Sequence, residues 1–400
     1  MYIKRLSLHN FRNFTRLDIE VPRRSVLLVG DNAQGKTSVL EAIYFLAALT
    51  SFQTNADRQM VNFAEAKKPD TAVARIVGEY ARGNRTHKLE VRLILDPVGG
   101  GNGQRLRKEI LLDGVKKQAS DAVGKFSAVV FVPQMSQIIE GGPDERRRYL
   151  NLAIAQAVPA YAGVLSDYGK ALEQRNAMLK LLDERGGSAD QLEVYDVTLA
   201  RLGAQLVNWR IAAVQELEKQ AARIHLELTR GAEVLRLAYE PSYDPAPKLA
   251  LKLDAHVDRS KVEIKDIERG FLERLRLTRD DEIARGMTTV GPHRDELRFL
   301  ANQTDLGDYG SRGQIRTALL SLKLAEVSWI HERTSQWPVI LLDEVMAELD
   351  LHRRADLLKY LDQTEQSLLT ATDLGMFTPE FVQSAKVWRV RTGNVQTDPK

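Results

Sequence analysis

Gly30-Asp31-Asn32-Ala33-Gln34-Gly35-Lys36-Thr37 and, more than three hundred residues later, Val339-Ile340-Leu341-Leu342-Asp343-Glu344 decide the fold of this chain of 400 residues. The first stretch has the G-x4-G-K-T spacing of a phosphate loop. Its glycines permit the backbone conformations that turn several N–H groups inward around a β-phosphate. Lys36 is then placed to reach the β- and γ-phosphates, and Thr37 to offer its hydroxyl to magnesium. Ser25–Val29 reads as a short buried strand before the loop, and residues 38–49 carry apolar side chains at helical spacing after it. Strand, loop and helix stand in the order the motif requires.

Pro338 opens the second stretch, an apolar run that ends at Asp343-Glu344. A fully buried parallel strand delivers carboxylates at its C-terminal edge in this way. Asp343 is the predicted magnesium-side acid, and Glu344 the residue that orients or deprotonates the attacking water. An Asp-Glu pair after a strand also serves as a helix cap; the phosphate loop favours the catalytic alternative. One nucleotide needs both stretches at once, so the two ends of the chain are expected to build one ATP site, with the residues between them inserted.

Three further stretches narrow the class. Tyr309-Gly310-Ser311-Arg312-Gly313-Gln314 precedes an apolar-periodic segment and reads as a serine-glycine turn opening a helix, where the Ser311 hydroxyl, the N–H groups and the helix dipole suit a γ-phosphate. Ala347-Glu348-Leu349-Asp350 follows the acidic strand, where the chain would turn along a dimer face. Gln366-Ser367-Leu368-Leu369-Thr370-Ala371-Thr372-Asp373 reads as another strand ending in polar groups.

With these residues in view, the chain resembles ABC-type ATPase heads and, more closely, the RecF family of bacterial recombination mediators. Leu6-Ser7-Leu8-His9-Asn10-Phe11-Arg12-Asn13-Phe14 resembles the family's opening, and Pro143 with Arg146-Arg147-Arg148-Tyr149-Leu150 its central motif. Thr289-Val290-Gly291-Pro292-His293-Arg294-Asp295-Glu296-Leu297 and Gly310 to Gln314 resemble its later blocks. The resemblance implies an α/β fold, an ABC-type phosphate-loop ATPase head with a mixed β-sheet and an inserted α-helical lobe. It implies a weak, DNA-stimulated ATPase that dimerises around ATP and magnesium on double-stranded or gapped DNA and helps load a recombinase, with RecR and RecO as partners. Carried residue by residue, Gly30, Asn32, Gly35, Lys36, Thr37 and Ser38 contact the nucleotide, joined by Gln134, Asp350, Ser311 and Gly313. Ser311 falls on the signature serine, acting on ATP held by the Lys36 of a second copy. Thr37, Asp343 and Gln134 hold the metal; Lys36, Glu344 and Ser311 are the catalytic set. The chain departs from the family at Pro133-Gln134-Met135, which leaves Gln137 as the alternative to Gln134. Where transporter-type ABC ATPases carry a switch histidine, the strand here ends in Thr372-Asp373, so the γ-phosphate switch falls on Thr372 or Asp373.

Composition sets the outer bounds. A hydrophobic share of 44% suffices for a sizeable core. The chain has no cysteine, which excludes disulfides, thiolate zinc sites and cysteine nucleophiles and is compatible with a reducing cytoplasm. No signal-peptide pattern opens it, and no run approaches the roughly 18 apolar residues of a membrane span, so a cytoplasmic location without a membrane partner is expected. A net charge of +3 neither demands nor forbids nucleic acid. Arg105, Arg107 and Lys108, on one side of an apparent hairpin, and Lys116 and Lys117 beyond its turn are candidates for DNA phosphates. Arg146, Arg147 and Arg148 are further candidates, although a helix surface paired with Asp144 and Glu145 accounts for them equally well.

Along the chain, residues 1–132 and 305–400 are expected to form a split ATPase lobe around a helical lobe at 133–304. Alternating segments at 72–80 and 88–95 read as half-exposed antiparallel strands, and the Gly99–Gly103 run as a mobile loop. From Pro143 the pattern is mainly helical to about residue 285. Leu165, Tyr168, Leu172, Leu179 and Leu182 face Leu192, Tyr195, Leu199, Leu202, Leu206 and Trp209 across Gly186-Gly187-Ser188, a short antiparallel helical hairpin at about 160–225. Limbs of about twenty residues reach roughly 30 Å, too short for a tether between distant DNA segments. His293 reads as a turn residue rather than a metal ligand, and the tail after Val390 as frayed. The alternatives are an ATPase head of a nuclease, for which no separate metal-binding carboxylate cluster is evident, and a chromosome-organising tether, whose long heptad arms are missing.

Overall fold

Strands from both ends of the chain interleave in one sheet, ordered Asn394–Thr397, Lys386–Arg391, Ser25–Val29, Ser367–Ala371, Val339–Asp343 and Ala128–Phe131. All neighbours are parallel except the edge pair formed by Lys386–Arg391 and Asn394–Thr397. The sequence dictates this: Val26, Leu27, Leu28, Leu341, Leu368 and Leu369 are fully buried, as near-continuous apolar runs in parallel sheets are when both faces are covered. Each such side chain contributes roughly 1.5–3 kcal/mol relative to exposure. The computed structural model describes residues 1–68, 70–97, 104–246, 259 and 261–397. The glycine run Gly99–Gly103 and the last three residues of the tail lie outside them.

The described chain divides into two compact units, Met1–Met135 with Glu326–Lys400, and Ser136–Ala325. These divisions fall at 135/136 and 325/326, against 132/133 and 304/305 in the sequence analysis. The second division lies inside the helix Arg312–Thr334.

In the first unit a second sheet is antiparallel, ordered Phe14–Glu20, Tyr2–Phe11, Ala72–Arg82, Arg85–Pro97, Gln104–Leu112 and Val115–Lys117. Alternation sets its faces, as where Leu17 and Ile19 turn inward and Asp18 and Glu20 outward. The helix Lys36–Ala48 is buried over most of its surface.

The second unit holds the helices Pro143–Ala157, Tyr161–Arg185, Glu193–Leu228, Ile264–Leu277 and Arg279–Arg285. It is less uniformly helical than its sequence suggested. Leu235–Glu240 is a strand pairing antiparallel with Glu296–Ala301, which in turn pairs with Thr304–Asp305. Leu235, Leu237 and Tyr239 point inward at period two while Arg236 and Glu240 point outward, so the segment carried a strand pattern too short to stand out beside the long helical stretch.

The helical hairpin is present, with limbs of 25 and 36 residues. Tyr168, Leu179, Leu182, Leu192, Leu199, Leu202 and Leu206 are buried along it, as the spacing predicted. Its seam also contains charge. Arg175 is fully buried, hydrogen-bonds Asp196 of the other limb at 2.7 Å and the Thr288 hydroxyl at 2.8 Å, and stands 2.7 Å from the Glu282 carboxylate as an ion pair. A buried pair of this kind is worth little net stability but is costly to break on one side; here it fixes how the two limbs and the following helix meet.

Candidate functional site

The strand Ser25–Val29 feeds the loop directly into the helix that Lys36 opens, with Gly35 at φ 112°, a left-handed conformation that glycine adopts without penalty. Lys36 is buried, and its ammonium donates to the carbonyls of Gly30 at 2.7 Å and Asp31 at 2.9 Å. It thus spans the mouth of the loop. Val339–Asp343 lies two strands away in the same sheet, and its parallel register brings Asp343 to the loop's end. The Thr37 hydroxyl donates to Asp343 Oδ1 at 2.8 Å. Glu344 follows with its carboxylate 3.9 Å from the Lys36 ammonium. The two stretches quoted at the outset therefore meet within one unit.

Glu344 adopts φ 56°, an uncommon conformation for a residue with a Cβ. Thr370 holds it there. This buried threonine accepts the Glu344 backbone N–H at 2.9 Å and donates to Asp343 Oδ1 at 2.8 Å. Asp343 has its pKa raised above the ordinary carboxylate range, first by burial and also by the Glu344 charge, while hydrogen bonds from Thr370 and Thr37 and the Lys36 charge oppose the rise. A carboxylate kept from water and short of compensating charge is suited to a cation. Thr37 Oγ1 and Asp343 supply two oxygens in contact, which fits magnesium, an ion that takes one or two protein oxygens together with substrate phosphates and waters. Among the described residues no three His, Cys, Asp or Glu side chains gather into a dedicated metal cage.

Thr370 was not singled out from the sequence. Its signal was a lone hydroxyl inside Leu368-Leu369-Thr370-Ala371, in the strand adjacent to the acidic one. The expected switch residues lie just beyond. Thr372 is exposed, whereas Asp373 caps the short helix Leu374–Met376 by accepting the Gly375 N–H at 2.7 Å. Gln134 is exposed in the turn Pro133–Ser136, immediately after the strand Ala128–Phe131 that pairs with Val339–Asp343. Gln137 opens the helix Gln137–Glu140 in the second unit. Asn32 is exposed, and Ser38 lies in the first turn of the loop helix. Asp350 is an N-cap, accepting the Arg353 N–H at 3.0 Å, which lowers its pKa.

In the second unit, Ser311 and Gln314 cap each other. The Ser311 hydroxyl accepts the Gln314 N–H at 3.3 Å, and the Gln314 side chain accepts the Ser311 N–H at 3.0 Å. Ser311 and Gly313 are exposed at this helix start, so the serine turn expected from the sequence is formed and open to solvent.

The basic candidates divide. Strand alternation puts Lys108 on the opposite face from Arg105 and Arg107, which corrects the expectation that the three share one side. Lys108 lies 2.6 Å from Asp57, donates to the Leu49 carbonyl at 2.8 Å and sits over the Phe45 ring, a packing role. Arg107 is paired with Asp96 and Glu109, and Lys116 with Glu109, so part of this face is already neutralised. Arg105 and Lys117 are exposed. Arg146 and Arg147 also turn inward. Arg146 grips Glu296 at 2.6 and 2.8 Å, and Arg147 bonds the Asp295 carbonyl at 2.7 Å and Asp144 at 2.5 Å. The arginine-rich helix and the Thr289–Leu297 block are thus partners in packing, and Arg148 is engaged as well. Asp295 extends the tie by accepting from Arg210 at 2.8 Å, from Tyr239, and from the Ser242 N–H at 2.9 Å.

Comparison with known proteins places the chain among relatives of one family. The family model for the RecF/RecN/SMC N terminal domain matches residues 2–395. The chain is 35% identical to the DNA replication and repair protein RecF of an Exiguobacterium species over the whole of both chains. It is 37% identical to the protein of the same name from Roseiflexus castenholzii over 99% of each. A solved structure of the recombination mediator protein RecF with ATP, from the RecFOR pathway, superposes with a TM-score of 0.83 at 30% identity, covering all of this chain and 98% of that one. An SMC head bound to the C-terminal winged helix of ScpA shares the fold, with a TM-score of 0.52 at 15% identity.

Proposed function

The chain belongs to the RecF family of DNA replication and repair proteins, and on that premise we propose that it is an ATP-operated clamp on DNA whose two states differ in whether two copies are joined. Lys36, Thr37, Asp343 and Gln134 bind ATP and magnesium in one copy, with Gly30, Asn32, Gly35 and Ser38 lining the loop. Ser311 and Gly313 of a second copy close over the γ-phosphate, with Asp350 near the dimer face. Neither copy surrounds the γ-phosphate by itself, so ATP supplies the differential affinity that favours the pair. Water activated by Glu344 cleaves the γ-phosphate, and the contacts that joined the copies are lost. Slow turnover stimulated by DNA makes the cycle a timer, worked in the cytoplasm at double-stranded DNA and gap junctions during recombinase loading, with RecR and RecO as partners.

The observation that carries this is the meeting of Lys36, Thr37, Asp343 and Glu344 in one unit, together with the exposure of the serine turn in the other. Arg105 and Lys117 remain the best placed of the basic candidates for DNA phosphates, since Lys108, Arg146 and Arg147 are committed to packing. The test is a titration of purified protein with duplex, single-stranded and gapped DNA, with and without ATP, while sedimentation follows dimerisation. ATP should raise affinity for duplex-containing DNA and the dimer fraction together; DNA binding indifferent to ATP, or cleavage of the DNA, would refute the clamp.

A further inference from the structure

Both ends of the chain grip one peptide of the phosphate loop from outside. The Gln34 carbonyl accepts the Asn13 side-chain amide at 3.1 Å and the Gly393 backbone N–H at 3.0 Å. The Gln34 side-chain oxygen accepts the Thr392 backbone N–H at 2.6 Å, with the Thr392 hydroxyl at 3.4 Å. Asn13 belongs to the turn between Tyr2–Phe11 and Phe14–Glu20, and Thr392 and Gly393 to the turn between Lys386–Arg391 and Asn394–Thr397. Packing here is close. A methyl group on Gly393 would come within 2.7 Å of the Asn13 carbonyl oxygen, and one on Gly35 within 2.7 Å of the Asn13 amide nitrogen.

A trans peptide sends its C=O and N–H to opposite sides. Holding the Gln34 carbonyl outward therefore aims the Gly35 N–H at the interior of the loop, where the motif places phosphate. Glycine tolerates the flipped orientation as well, so something outside the loop must choose. We propose that Asn13 and the Thr392–Gly393 turn are positioning residues that set this peptide through Gln34 and thereby tune affinity for the β-phosphate of nucleoside di- and triphosphates. This rests on residues 30–37 being a phosphate loop.

The test uses Asn13→Ala and Gln34→Met, singly and together, in the full chain, with Mg-ADP as the probe. Each loses one or more hydrogen bonds to the loop or its side chain, and the dissociation constant for Mg-ADP should rise about fivefold to tenfold in the pair. The KM for ATP should rise in step, with kcat changing less than KM. A spectroscopic readout separates positioning from general weakening. Gln34–Gly35 is the single Gln-Gly pair in the sequence, so carbonyl-13C glutamine with 15N glycine isolates the Gly35 amide signal in the unmodified protein and in Asn13→Ala, where it should shift or broaden. Unchanged Mg-ADP affinity overturns the proposal. So does weaker binding with an unmoved Gly35 signal and a lowered melting temperature, the mark of a merely structural contact. Failure of the unmodified protein to bind Mg-ADP would instead remove the phosphate loop itself.

Discussion

Thr370 and Asp343 share a hydrogen bond of 2.8 Å at the oxygen that also accepts from Thr37, and the same threonine hydroxyl receives the Glu344 N–H. One buried hydroxyl thus orients the acid and holds the backbone of the residue proposed to activate water. Thr370→Val keeps the shape and strands that N–H. With a buried donor left unsatisfied costing about 1–3 kcal/mol, kcat should drop by roughly tenfold to a hundredfold, more than KM changes. Thr370→Ser should recover most of the rate in steady-state ATPase measurements. Equal rates in Val and Ser variants would remove Thr370 from the mechanism.

Asp343 carries a raised pKa in the fold, so the folded protein without metal holds its proton to higher pH than the unfolded chain does. The sign follows: stability from this group is greatest at low pH and is lost as pH rises from the unfolded value through the folded one. At neutral pH the charged carboxylate is therefore a burden. Asp343→Asn, whose Oδ1 still accepts from Thr37 and Thr370, should melt at a higher temperature than wild type in metal-free buffer at pH 7. It should also hydrolyse ATP at least about a hundredfold more slowly, since the proposed metal ligand is gone. A lower melting temperature would contradict the burial argument.

Ser311→Arg sets a bulky cation at an exposed turn without touching the core. Loss of the Ser311 hydroxyl cap on the Gln314 N–H should cost about 0.5–2 kcal/mol, too little to unfold the chain. ATP-driven dimers should be lost in sedimentation while ATP binding to the single copy persists. Normal dimers in this variant would place the serine turn away from the closing surface.

His293 is held neutral by burial, which lowers its pKa to about 4. Its Nε2 faces the Thr288 carbonyl and so carries the hydrogen, leaving Nδ1 to accept from the Tyr168 hydroxyl at 2.8 Å. The corresponding stability is present above the unfolded value of about 6.5 and drains away as pH falls through the folded one, on the order of 3 kcal/mol at most. His293→Gln offers a similar donor and acceptor but does not titrate. Urea melts at pH 7 and pH 4.5 should show the wild type losing more stability than this variant; parallel losses would mean that other groups govern the acid limb.

The two decisive stretches were legible because each is a local motif whose chemistry needs the other, so pairing across the chain followed from function. The apolar spacing of three and four residues likewise gave the buried seam of Leu179, Leu182, Leu199 and Leu206. Partnership was not legible. Arg146, Arg147 and Lys108 looked like cations offered to DNA because a sequence names charges without their counterions, and Glu296, the Asp295 carbonyl and Asp57 are supplied from distant positions. The Arg175–Asp196 pair was hidden for the same reason: charged side chains read as solvent-facing until a third element covers them. Thr370 escaped because a hydroxyl in an apolar strand has no motif of its own.

The interleaved parallel sheet also has a consequence for birth of the protein on the ribosome. Ser25–Val29 is made more than three hundred residues before either of its strand neighbours, Ser367–Ala371 and Lys386–Arg391. At about 5–20 residues per second, translation leaves this apolar strand without lateral partners for on the order of half a minute. The nascent chain must be shielded through that interval, so expression yield depends on chaperone supply and elongation speed more than the finished fold would suggest.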